Sequence, residues 1–77
     1  MSKFYIKPKL DWSMRNTMKI VKVLRENDDI RYHSIFDIEI NGFGEWSILL
    51  STDHDRVFKE VMSNHMDLVD YYTEMKE

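Results

Sequence analysis

The chain has 77 residues, 43% of them hydrophobic and 32% charged, with no cysteine and a formal net charge of −3. That length supports one core, so residues 1–77 are read as a single domain, and the missing cysteine excludes disulfides and thiolate metal sites. No apolar run is long enough for a membrane span or a signal peptide, which points to a cytoplasmic protein with no membrane contact.

In the first segment Phe4, Ile6 and Leu10 share one parity, and Lys3, Tyr5, Lys7 and Lys9 share the other. This is the period-two pattern of a half-buried strand with a basic outer face. Pro8 cannot donate a ladder hydrogen bond, so the strand lies at an edge or ends there. Residues 12–26 fit a helix: Met14, Thr17, Met18, Ile20, Val21 and Leu24 fall on one arc, with Arg15, Lys19 and Lys22 beside it. Asp11 or Ser13 would cap its start. The β-branched run Lys19–Val23 keeps a strand as the alternative. Glu26-Asn27-Asp28-Asp29 makes a turn under either reading.

From Ile30 the pattern is period two again. Ile30, Tyr32, Phe36, Ile38 and Ile40 alternate with polar residues, and Trp46, Ile48 and Leu50 continue the parity after Asn41-Gly42-Phe43-Gly44. Directly opposed residues must face one side, so a three-residue loop Gly42-Phe43-Gly44 is required, pairing Ile40 with Trp46, Ile38 with Ile48 and Phe36 with Leu50. Such loops end in a left-handed residue, which Gly44 supplies.

The last segment reads as an amphipathic helix capped by Ser51 or Thr52. Val57, Phe58, Val61, Met62, His65, Leu68, Val69 and Tyr72 share one face, and Glu60, Asp67, Asp70 and Glu74 lie opposite. The expected class is α+β: a small antiparallel sheet with a central β-hairpin, packed on a C-terminal amphipathic helix, in the order βαββα. A four-stranded meander followed by one helix is the alternative.

Candidate chemistry is sparse. Asp53-His54-Asp55 is too divergent for one ion, and His54 and His65 stand ~16 Å apart on a helix, so no metal site is expected. No nucleophile elbow, phosphate loop or zinc-binding helix motif occurs, and no cofactor or enzymatic activity is expected. Charge is more informative. Residues 1–25 carry seven basic side chains against Asp11, and residues 26–77 carry thirteen acids against four bases. Such asymmetry indicates charged partners, or two halves that neutralise each other.

Asp67, Asp70, Glu74 and Glu77 crowd the C-terminal part of the expected helix, where the macrodipole disfavours anions. With the interface-prone Tyr71 they suggest a binding face for a protein with a basic surface, a second copy in a homodimer included. The expected function is therefore a small acidic, non-catalytic protein that binds and modulates or inhibits a macromolecular partner. The absence of Ala and Gln is the bias of an AT-rich genome and suggests a phage or mobile element. The competing expectation is a nucleic-acid-binding accessory protein using Lys3, Tyr5, Lys7, Lys9 and Arg15.

Overall fold

A computed structural model describes residues 1–76; Glu77 lies outside the described residues. Strand β1 spans Ser2–Pro8 and is followed by helix α1, Ser13–Arg25, and a five-residue helix α2, Asp28–Tyr32. Strands β2, Ser34–Ile40, and β3, Trp46–Thr52, form the hairpin. Helix α3, Asp55–Ser63, a 3-10 turn over Met66–Leu68 and strand β4, Val69–Met75, complete the chain. The four strands make one antiparallel sheet in the order β2-β3-β1-β4. This is the connectivity of two interleaved β-α-β units, the ferredoxin-like arrangement, with helices on one face and the other face open.

The α+β class and the central hairpin are as expected. The hairpin has the anticipated register, Ile40 opposite Trp46, Ile38 opposite Ile48 and Phe36 opposite Leu50. Asn41 closes the loop: its Oδ1 accepts from the N–H groups of Phe43 and Glu45 at 2.9 and 3.0 Å, and its carbonyl accepts from Gly44 N–H at 3.0 Å. Gly44 sits at φ 77°.

Two expectations need correction. The second strand begins at Ser34, because Asn27 Oδ1 accepts from the N–H groups of Asp29 and Ile30 and starts α2, with Asp28 and Asp29 suited to its positive end. Ile30 is still buried, as a helical residue. Of the two placements open to β1, at an edge or ending at Pro8, the second holds: β3 and β4 flank the strand, and Pro8 falls at its end, beside a register shift.

The second correction is the larger. The C-terminal helix stops at Ser63, and residues 69–75 form β4 against β1. Pairing with β1 skips Asp70: Lys7 faces Tyr71 and Pro8 faces Val69. This bulge turns Val69 and Tyr72, three residues apart, to the same side of the sheet. A three-residue spacing is a helical signature, and here a strand reproduces it. The order βαββα is therefore extended by a short second helix and a fourth strand.

The core lies between the sheet and the helices. Phe4 and Ile6 of β1 meet Ile48 and Leu50 of β3, Ile20 and Leu24 of α1, Ile30 of α2, Phe58 and Met62 of α3, and Val69 of β4. Phe4 stacks on Phe58 at 4.2 Å between centroids, and Tyr72 meets Phe58 edge-on at 5.2 Å. Buried Thr52 accepts from Ser34 Oγ at 2.8 Å and His54 N–H at 3.1 Å, so it holds the turn into α3 without being its N-cap. Thr17, also fully buried, leaves its hydroxyl without a hydrogen-bond partner.

Two substitutions test this packing. Gly44→Val should lower stability by about 1–2 kcal/mol, since a β-branched residue resists positive φ, whereas Gly42→Ala should be neutral or mildly stabilising. Equal denaturant midpoints for both variants would contradict the loop geometry. Thr17→Val should raise stability by about 1 kcal/mol, because it removes a desolvated hydroxyl at nearly constant volume. A clear loss in chemical denaturation would show that the hydroxyl is satisfied in solution.

Candidate protein-interaction surface

The loop from β1 into α1 is held tightly. Asn16 Nδ2 donates to the carbonyls of Lys9 and Asp11 at 3.2 and 2.8 Å, Ser13 N–H donates to Leu10 O at 3.2 Å, and Lys9 N–H donates to Leu68 O at 3.0 Å. Neither expected cap, Asp11 or Ser13, is used; the N-cap is Trp12, in the left-handed region at φ 61°, ψ 45° with no side-chain cap bond. A bulky residue there costs about 1–3 kcal/mol. Trp12 recovers little of this by burial, as it is 76% exposed. The fold thus holds an indole outward in a strained conformation.

Trp12 is not isolated. Helix α1 buries Thr17, Ile20 and Leu24 and leaves Met14 and Met18 on its flank, 58% and 59% exposed. That flank faces α2, since Met18 and Val21 share a surface hollow with Arg31. Helix α1 rests chiefly on β1 and β3 and barely reaches the edge strand β2. Ile38 and Ile40, which point to the helix side of β2, are therefore left exposed. The register also brings the end of β1, the loop carrying Trp12 and the hairpin tip to one end of the sheet, where Phe43 is 90% exposed. Trp12, Met14 and Met18 on the α1 side and Ile38, Ile40 and Phe43 on the hairpin side are thus exposed apolar residues on the helix side and at one end of the sheet.

The two sides carry opposite charge. The solvent side of α1 holds Arg15, Lys19, Lys22 and Arg25, with no acid anywhere in the helix, and Arg31 lies beside them. None of these five has a carboxylate partner among the described residues, whose ion pairs are Met1 amine–Asp53, Lys7–Glu45 and Lys59–Glu74. The basic and acidic halves therefore do not neutralise each other through ion pairs at α1. On the hairpin side, Asp37 and Glu39 project from β2 on the open face of the sheet.

The acidic residues expected to form one binding face do not share one. Asp67 is in the 3-10 turn, Asp70 is at the bulge and Tyr71 is on the open face. Glu74, aligned with Phe4, points to the opposite side, 3.8 Å from Lys59. The alternative set divides as well. Lys3, Tyr5 and Lys7 lie on the open face, in cross-strand rows with Ile35, Ser51 and Met75 and with Asp37, Leu49 and Thr73. Tyr5 and Tyr71 are 6.1 Å apart there, a juxtaposition that the helical reading of Tyr71 could not foresee. Lys7 is 3.8 Å from Glu45, with its side chain only 13% exposed. Lys9 lies past the strand end near Asp70, and Arg15 is on α1.

His33 and His54 meet edge-on at 5.2 Å, but no group of three or more metal-ligating side chains gathers among the described residues. Among the described residues, no helix is long and apolar enough to cross a membrane. No family model matches the chain, and no curated protein or solved structure is significantly similar to it.

The sequence pattern places Met14, Met18, Ile38 and Ile40 on apolar faces, and it offers no reason to single out Phe43. For the methionines a signal was present: the apolar arc of α1 is wider than a sheet of this size covers.

Trp12→Gly should raise stability by about 0.5–1 kcal/mol by relieving the positive φ. A lower thermal midpoint would show instead that the indole contributes packing that outweighs its strain.

Proposed function

We propose that this protein is a non-catalytic binding module that modulates or inhibits a partner protein by occupying its surface. The observation that supports this best is the number of large apolar residues left exposed on α1 and the hairpin: Trp12, Met14, Met18, Ile38, Ile40 and Phe43. Exposed apolar residues scattered singly are ordinary, whereas exposed apolar surface gathered into a patch marks an interaction surface. Tryptophan is the residue most enriched among energetically dominant interface contacts, and methionine adapts its shape to the surface it meets. The unpaired cations of α1 would steer an acidic region of the partner toward these residues and fix its orientation. The contact surface proposed here replaces the acidic helix face, whose members point in different directions.

A second reading is favoured by one observation. Tyr5 and Tyr71 lie together on the open sheet face beside Lys3 and Lys7, an arrangement on which single-stranded bases could stack. Against it, Lys7 is taken up by Glu45, and Asp37 and Glu39 occupy the β2 side of the same face.

The two readings separate in one set of capture experiments from the native cell. Met18→Glu combined with Phe43→Ser should lose the captured protein at least ~tenfold while circular dichroism stays unchanged. Tyr5→Ala combined with Tyr71→Ala should retain it. Retention by the first pair and loss by the second, with oligonucleotide binding that weakens steeply as salt rises, would replace the protein-binding reading with the nucleic-acid one.

A further inference from the structure

Strand β2 is an edge strand whose only charged residues, Asp37 and Glu39, both lie on the open face. Its sequence, Ser34-Ile35-Phe36-Asp37-Ile38-Glu39-Ile40, contains no proline and no lysine, and its pairing with β3 runs without a bulge. The opposite edge, β4, is interrupted at Asp70. Long regular apolar edges are templates for another strand.

The hydrogen-bond pattern shows which groups wait there. Asn41 N–H donates to Glu45 O at one end of the hairpin, and Asp53 N–H to His33 O at the other. Antiparallel ladders alternate, so Ile35, Asp37 and Glu39 bond inward to β3. The N–H and C=O groups of Phe36, Ile38 and Ile40 then point away from the sheet, and the side chains of these residues lie on its helix side.

We propose that the β2 edge binds an extended segment of a partner protein as a fifth strand, and that this segment alternates apolar with basic residues. Its apolar row would lie on the helix side of the sheet, beside Ile38 and Ile40. Its other row would lie beside Asp37 and Glu39 on the open face, where lysine or arginine is complementary. A second copy of this chain fits poorly. Two-fold pairing of β2 with itself places Asp37 opposite Asp37 when the whole strand is paired, or opposite Glu39 after a two-residue shift toward the hairpin.

This inference rests on the protein-binding reading and names the form of the contact. The probe is a short capped peptide alternating lysine with valine, compared with its glutamate–valine counterpart, titrated into the full chain and followed by amide hydrogen exchange. The lysine peptide should bind about tenfold more tightly and should slow exchange at Phe36, Ile38 and Ile40. Asp37→Lys with Glu39→Lys, both exposed positions, should invert that preference without unfolding the protein. Ile38→Lys should abolish binding of either peptide.

Protection confined to the open face, or equal binding of both peptides, would overturn the proposal. So would β2 protection that grows with protein concentration in the absence of peptide, since the second copy would then be the occupant. If neither peptide binds while the Met18→Glu, Phe43→Ser pair still loses the captured partner, the edge assignment fails and the protein-binding reading stands. Failure of both results removes both.

Discussion

The pairing of β1 on both sides is the constraint on which the rest of this molecule depends. Strands β3 and β4 can join one sheet only through β1, and β4 is drawn from the far end of the chain. The side chains of β1 divide cleanly: Phe4 and Ile6 enter the core, while Lys3, Tyr5 and Lys7 form the middle of the open face. Phe4 then stacks on Phe58, and Tyr72 closes the cluster edge-on. Helix α3, the central strand and the last strand are thereby tied at one point. Burial of a Phe side chain is worth roughly 1.5–3 kcal/mol, a large share of the stability of a domain this small. Loss of the β1–β4 ladder would expose both the aromatic cluster and an unpaired strand edge.

That constraint explains what the sequence revealed and what it concealed. The hairpin was legible because local turn chemistry and hydrophobic parity give the same register at Gly44, Asn41 and the Ile38–Ile48 pair. Helix α1 was legible from the arc of Thr17, Ile20 and Leu24, despite the β-branched run inside it. The last strand was not, because its pairing partner lies sixty or more residues away and its bulge imitates helical spacing. The expected acidic face fell with it. Once Asp67, Asp70 and Glu74 leave a helix, their shared direction is lost, and Tyr71 moves to a face with Tyr5 that no local pattern connects.

The exposure of these apolar residues has a geometric origin. A helix following β1 and leading to β2 must cross β3, which lies between them. Helix α1 stays over β1 and β3 and hands the chain to α2, so the step to β2 is made by five residues rather than by a long helix. The edge strand is paired by its backbone but left uncovered by side chains. Ile38 and Ile40 keep the apolar identity that a covered strand would need, and Met14 and Met18 keep that of a helix facing it. A sequence shaped only for the stability of the isolated domain would place polar residues at these positions, and it would not hold Trp12 at positive φ.

Charge decides between self-association and a different partner. Cations lie along α1 and carboxylates along the open side of β2. Two-fold pairing of β2 with its copy brings Asp37 against Asp37 in full register, and against Glu39 after a two-residue shift toward the hairpin. A different strand can present basic residues to Asp37 and Glu39 while the body behind it presents acidic ones to α1. On the proposed reading, the arrangement favours one orientation of a foreign chain over association of the edge with its own copy. The separation of charge along the sequence then acquires a structural meaning: it becomes the cations of α1 and the carboxylates of β2, the charges proposed to orient the partner.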